Sequence, residues 1–283
     1  MKALNVSLSM WSVHKYWYDG TWDTVDFLGF AAEAGASGVE LLSCFWKDKE
    51  RDIPRIDEAL ARYGLKVACF CACNNFIAAD EREREAQVKE VTDAVDAAVH
   101  FGAKVVRVFS GDVHGDSISY EQGLAYVIDG LSRAAEYAER KGVVLCLENH
   151  GLFAGRSDQV NAIIEQVGSN ALRSTFDTGN FLLVGQSPRD AVDELKHFAQ
   201  HVHVKDFAKA EEGTRGAVIR GLTGELFLGK IAGEGEVDLA YIFSKLKEAG
   251  YGGWLSVEFE GDEEPKLGSL KALAHVEKLV AAL

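Results

Sequence analysis

Four stretches in the second half of the chain end an apolar run in side chains that ionise or bind metals. They are Leu145-Cys146-Leu147-Glu148-Asn149-His150, Ser174-Thr175-Phe176-Asp177-Thr178-Gly179-Asn180, His201-Val202-His203-Val204-Lys205-Asp206 and Ser256-Val257-Glu258-Phe259-Glu260. A single carboxylate in such a place is as readily a satisfied hydrogen-bond acceptor as a functional group. Several brought to one rim are different, because ionised carboxylates in a low-dielectric site repel one another unless a cation neutralises them. One divalent ion held by three carboxylates and one imidazole removes the conflict; an ion-pair network is the alternative. Oxygen ligands with one nitrogen suit Mn²⁺, Mg²⁺ or Co²⁺ better than the thiolate-rich structural zinc sites do. Mn²⁺ is the expected ion, with Zn²⁺ also admissible.

Strand periodicity chooses between neighbours. Residues two apart face the same way, so if His203 points inward then His201 does too, one layer deeper. His203 is the expected ligand, with His201 packed beneath it or orienting it. Glu258 and Glu260 share a parity as well. Glu258, nearer the strand body, is the expected ligand and Glu260 a rim residue.

One rhythm positions these groups: a short β-branched run, a polar loop, then a longer amphipathic stretch. The candidate strands are Leu4–Met10, Gly38–Ser43, Leu65–Cys73, Lys104–Ser110, Val143–Asn149, Leu172–Thr178, His201–Phe207 and Gly253–Phe259. The stretches between them carry apolar residues three and four apart, as in Ala86-Val88-Val91-Val95-Ala98-Val99, and several end in glycine (Gly35, Gly64, Gly102, Gly142, Gly168, Gly250). Eight such units predict an α/β fold, a single (β/α)8 barrel spanning residues 1–283, with its active site at the C-terminal ends of the strands. The open doubly wound alternative is disfavoured, because Met10-Trp11-Ser12-Val13-His14 is unlike the glycine-rich turn that follows its first strand. The longest irregular stretch, about 208–237, carries seven glycines among charged residues and is a candidate for closing over a ligand.

Composition sets the outer bounds. The 283 residues are 47% hydrophobic and 26% charged, enough apolar side chain for a large core. The net charge of −14 argues against nucleic acid as a partner, and no run approaches the roughly 20 apolar residues of a membrane helix. Cys69, Cys71 and Cys73 follow neither zinc nor redox spacing, and read as reduced core thiols of a cytoplasmic protein.

Taken in order, these motifs resemble the xylose-isomerase-like TIM-barrel sugar isomerases and epimerases. That superfamily includes tagatose/psicose 3-epimerases, hydroxypyruvate isomerase, inosose dehydratase and, more distantly, endonuclease IV. The segments Gly233-Glu234-Gly235-Glu236-Val237-Asp238 and Gly252-Gly253-Trp254-Leu255-Ser256-Val257-Glu258-Phe259-Glu260-Gly261 belong to the same likeness. The resemblance implies metal ligands Glu148, Asp177, His203 and Glu258, the two glutamates doubling as acid/base groups on opposite faces of a bound sugar. The chain departs from the 3-epimerases at Asn180, where they carry histidine, and at Lys209, where they carry arginine. Lys205 in the His-x-Lys-Asp run is closer to the inosose dehydratase branch.

The implied chemistry is proton abstraction beside a carbonyl, through an enediolate. Return to the opposite face epimerises, return to the adjacent carbon isomerises, and loss of a β-hydroxyl dehydrates. A sugar isomerase or epimerase is the leading expectation. A dehydratase or lyase on a keto-sugar or inosose is the alternative, and a catalytically silent sugar-binding protein is the alternative of another class. The partner is a small sugar or keto-polyol, and homo-oligomers are expected from the relatives. His150, Lys205 and Asn180 are candidate substrate contacts, as are Glu40, Trp11, His14 and Arg215. Asn180 also suits a turn, Arg107 reads equally as a buried ion-pair partner or a ligand contact, and Trp46 and Phe109 could wall the pocket.

Overall fold

A computed structural model describes residues 4–113 and 118–283. The strands among them are β1 (Asn5–Ser9), β2 (Gly38–Leu42), β3 (Lys66–Cys71), β4 (Val105–Val108), β5 (Val144–Glu148), β6 (Leu172–Asp177), β7 (Ala199–Val204), β8 (Asp206–Ala210), β9 (Val218–Arg220), β10 (Leu226–Lys230) and β11 (Trp254–Val257). β1 to β7 and β11 form a closed parallel barrel, each strand beside its neighbour in this series and β11 pairing with both β7 and β1. This is the single (β/α)8 barrel that the repeating pattern predicts.

Helices Thr24–Glu33, Lys49–Tyr63, Glu81–Phe101, Tyr120–Lys141, Ser157–Val167, Pro188–Leu195, Leu239–Glu248 and Pro265–Ala282 cover the outside. Their ends are set locally. Asp23, Asp48 and Asp80 accept backbone N–H bonds at N-termini, and Gly64 and Gly102 end their helices at φ of +66° and +75°. With helices outside and packed side chains within, β2 and β3 are buried almost throughout, which is why they read as nearly unbroken apolar runs. The large buried residues, among them Phe27, Phe70, Phe176 and Phe243, form the core. Among the described residues no helix is long and apolar enough to cross a membrane.

The stretch expected to be irregular, 208–237, is folded. β8, β10 and β9 form an antiparallel sheet in that order, with Phe227 level with Lys209 and Gly229 level with Phe207. Its strands are short and interrupted by glycine and charge, so no period of two is visible in the sequence. Phe207 and Phe227 are buried beneath it. At Gly229 an added Cβ would stand 1.8 Å from the carbonyl oxygen of Glu260, so this sheet lies directly against the chain leaving β11. The seventh barrel strand accordingly stops at Val204 rather than Phe207. Asp206 then turns its carboxylate onto the N–H groups of Gly233 (2.9 Å), Gly235 (3.0 Å) and Val237 (3.1 Å). That clamp gives the Gly233–Gly235 segment a structural reason: a Cβ at Gly235 would fall 2.2 Å from Asp206 Oδ1.

Candidate metal centre

β5, β6, β7 and β11 deliver their polar ends to one point. Asp177 is level with His203, and Ser256 is level with His203 on the other side, so Glu258 rises one inward step above it. His203 Nδ1 lies 3.4 Å from Glu148 Oε2, 3.3 Å from Glu258 Oε2 and 4.0 Å from Asp177 Oδ2. Atoms from all four residues fall within 4.8 Å of one another. Ligand bonds of about 2.1 Å place neighbouring donors roughly 3–4 Å apart, so these separations suit a divalent cation. The same four atoms are buried and make no hydrogen bond, although Glu148 Oε2 and Glu258 Oε2 lie beside the cations of Arg107 and Lys205. Orphaned acceptors of this kind are rare in folded proteins, and a cation would satisfy all four together.

The electrostatics point the same way. Burial penalises the charged form of Asp177, and repulsion from Glu148 and Glu258 adds to it, so its carboxyl is pushed up to about 7 despite nearby Lys205. Burial works against the charged forms of His203, Glu148 and Glu258 too, but here charge overrides it. Glu40, Glu258 and Glu148 hold His203 protonated well above its usual range, while His203 and Arg107 hold Glu148 below its own. Lys205 first, then His203, lower Glu258. Without a cation, the cluster keeps itself near neutrality with protons.

Neighbours fix the direction of each of these candidate ligands. Asn149 clamps the Asp177 backbone, accepting from its N–H at 2.8 Å and donating to its carbonyl at 3.0 Å. Asp177 Oδ1 accepts from the N–H groups of Gly179 (2.8 Å) and Asn180 (2.9 Å), which leaves Oδ2 for the centre. Asn180, weighed as a substrate contact or a turn residue, donates to Glu148 Oε1 at 3.2 Å and to the Asn149 carbonyl at 3.1 Å. Arg107 is a buried ion-pair partner: its Nε is 3.1 Å from Glu148 Oε2, its Nη1 donates to the Ala72 carbonyl at 2.8 Å, and its guanidinium lies 3.8 Å over the Phe109 ring.

Glu40 requires a correction. Expected at a strand end as an acceptor for a substrate hydroxyl, it sits in the middle of β2, fully buried beneath the centre. Its Oε2 meets His203 Nε2 at 3.0 Å and His201 Nε2 at 2.6 Å. A carboxylate on the far nitrogen of a ligating histidine fixes its tautomer and ring orientation, and losing such a partner commonly lowers metal affinity about 10- to 100-fold. Glu40→Gln is therefore expected to weaken Mn²⁺ binding by about that factor in calorimetric titration. Unchanged affinity would remove Glu40 from this role.

A cavity of about 390 Å³ opens above the centre, with Glu148, Glu258, Arg107 and Lys205 in its floor. Lys205 Nζ lies 3.0 Å from Glu258 Oε2, 3.1 Å from Glu260 Oε2 and 3.6 Å from Asp177 Oδ2. His150, whose pKa burial lowers, packs its ring 4.2 Å from that of Phe109, and both face the cavity with Trp11. Four expected contacts do not line it: Glu40 and Asn180, placed above, and His14 and Arg215. His14 stacks behind Trp11 at 4.5 Å, and Arg215 is exposed on the loop before β9. Trp46 packs instead against Phe70 and Phe101. Tyr18, Cys44 and Cys73 line the cavity without having been singled out for it. Tyr18 and Cys44, on short helical turns after β1 and β2, carry no mark in the sequence, and Cys73, expected as a core thiol, faces the cavity past the end of β3.

Residues 28–279 match the family model described as xylose isomerase-like TIM barrel. Among curated proteins, the inosose dehydratase of Geobacillus kaustophilus (strain HTA426) is 25% identical over 276 residues, covering 88% of this chain and 85% of its own. Among solved structures, a xylose isomerase-like TIM barrel protein from Mycobacterium smegmatis in complex with magnesium superposes with a TM-score of 0.79. It is 15% identical and covers 100% of this chain and 99% of its own. A D-tagatose 3-epimerase-like protein superposes with a TM-score of 0.78 at 21% identity, covering 100% and 98%. At these identities the structural likeness establishes the fold.

Proposed function

The chain belongs to the xylose isomerase-like TIM barrel family, and from that premise we propose that it is a divalent-metal-dependent sugar isomerase or epimerase acting beside a carbonyl. The observation that carries this reading is the convergence of four buried donor atoms that make no hydrogen bond, Glu148 Oε2, Asp177 Oδ2, His203 Nδ1 and Glu258 Oε2, under a cavity of about 390 Å³. Those four residues would hold the ion, Mn²⁺ by our reading, which supplies a Lewis acid for the carbonyl oxygen of the substrate.

The chain's own residues supply the rest. Glu148 and Glu258 each stand beside a cation, Arg107 and Lys205 respectively, which keeps both carboxylates ionised and able to accept a proton. Two comparable bases at one cavity floor suit removal of a proton by one and return by the other. His150 and Lys205 face the cavity as hydrogen-bonding partners for hydroxyls, and Trp11 and Phe109 offer apolar faces to a sugar ring. A dehydratase acting on a keto-polyol is the second reading. It is favoured by the named activity of the Geobacillus relative and by Lys205, whose ammonium could protonate a departing hydroxyl.

Solvent exchange tests the proposal. Purified protein with Mn²⁺ in D2O, given ketohexoses, ketopentoses, hydroxypyruvate and keto-inositols, should place deuterium beside a carbonyl, seen by NMR, and stop doing so with EDTA. An epimer, an aldose–ketose pair or a dehydrated product then separates the reactions. Exchange that persists undiminished in EDTA would overturn the metal-dependent mechanism.

A further inference from the structure

Two cysteines that this chemistry does not use stand together in the wall of the same cavity. β2 and β3 are parallel neighbours whose last paired residues are Leu42 and Cys71, and Cys44 and Cys73 each follow two residues later. Cys44 lies in the short 3-10 turn Ser43–Phe45 that leaves β2, Cys73 just beyond the end of β3, and both face the same cavity. The two chains stay joined past that point, since the Cys73 N–H donates to Ser43 Oγ at 3.0 Å. Cys44 is exposed and Cys73 half-buried, so a small reagent entering the cavity reaches both.

Their thiols interact. The neighbouring Cys44 thiol, helped against burial by the Arg107 charge, lowers Cys73 to about 6, while the same proximity raises Cys44. One sulfur is thus a thiolate near neutral pH and the other a thiol poised to follow it. Cys69, Cys71 and Cys146 differ: all three are fully buried, and burial raises their pKa values.

We propose that Cys44 and Cys73 form a peroxide-oxidisable dithiol in the wall of the candidate active-site cavity, a modification site separate from the sugar chemistry. The Cys73 thiolate attacks one peroxide oxygen, the O–O bond breaks, and hydroxide leaves to be protonated to water. Cys73 is then a sulfenic acid. Cys44 loses its proton and attacks the Cys73 sulfur, forming the S–S bond and expelling the second oxygen as water. In balance, two thiols and one hydrogen peroxide become one disulfide and two waters, and an added dithiol reverses the change.

The test is read by mass and does not depend on turnover. The full-length chain, reduced and then exposed to stoichiometric hydrogen peroxide, is alkylated, digested and analysed by mass spectrometry. The expected product has lost two hydrogens per chain and joins the peptide bearing Cys44 to that bearing Cys73, leaving three of its five cysteines alkylated. Cys44→Ser should stop at a sulfenic acid on Cys73 that dimedone captures, and Cys73→Ser should react at least about tenfold more slowly. Disulfides between chains, bridges to Cys69, Cys71 or Cys146, or five cysteines still alkylated after peroxide would each overturn the proposal. The wild-type digest decides even if a variant folds poorly.

Discussion

In D2O, Glu148→Gln and Glu258→Gln will each bind Mn²⁺ more weakly than the parent and, even at saturating Mn²⁺, lose deuterium incorporation by about 10²- to 10⁴-fold. Glutamine matches glutamate in shape but cannot accept a proton at neutral pH. At position 148 it also preserves the acceptor for Asn180 Nδ2, now 3.2 Å from Oε1, but it removes the charge that Arg107 Nε meets at 3.1 Å, so folding of this variant is checked beside its exchange. At position 258 the substitution removes the charge that Lys205 Nζ meets at 3.0 Å, and Glu260, at 3.1 Å, remains to hold that ammonium. The two variants also separate the readings of the reaction. A mechanism with one base on each face loses net turnover in both. If Glu258→Gln loses all exchange while Glu148→Gln keeps it, a single base does the work and the dehydratase or isomerase reading gains. Metal content must be measured alongside, because both residues are proposed ligands. Two variants that exchange at the parental rate would sink the assignment of these carboxylates as acid/base groups.

The barrel was legible because its repeat is physical. Each helix must end before the next buried strand begins, and glycines such as Gly64 and Gly102 mark those points in the sequence. The convergence of Glu148, Asp177, His203 and Glu258 was legible by strand parity and by the fold's habit of gathering strand ends. Depth was harder to read. Glu40 looked like a rim acceptor, yet the register of β1, β2 and β3 places it level with Ser9 and Cys69, under His203. A lone carboxylate inside an apolar strand reports burial with a partner, but sequence alone does not say that the partner lies five strands later. The sheet of β8 to β10 was illegible for another reason: its strands are three to five residues long, too short for alternation to show against glycine and charge. Cys44 and Cys73 fall outside any motif, because their pairing depends on neighbouring strands that are far apart in a motif search.

Asp177→Asn should move stability in opposite directions with and without metal. In the metal-free chain, Asp177 titrates at about 7 against an ordinary 3.8, chiefly because burial penalises its charge. A carboxyl raised in this way costs nothing below about pH 4, where it is neutral in both folded and unfolded chains, and costs most above pH 7, where it is ionised in both. Asparagine carries no such penalty. It can still accept at Oδ1 from the N–H groups of Gly179 and Asn180, and Lys205 keeps Glu258 and Glu260. At pH 8 the metal-free variant is therefore expected to be more stable than the parent by about 2–4 kcal/mol, an advantage that shrinks as pH falls from 7 toward 4. Added Mn²⁺ reverses the order. An ion at a thousandfold excess over its dissociation constant stabilises the folded chain by about 4 kcal/mol, which the parent gains and the variant, missing one of four ligands, largely forgoes. Thermal unfolding at pH 8 and pH 5, with Mn²⁺ and with EDTA, reads all four quantities. An equal Mn²⁺ shift in both proteins would remove Asp177 from the metal centre, whereas a crossed pattern would identify the carboxylate as a group retained for the ion at the expense of the fold.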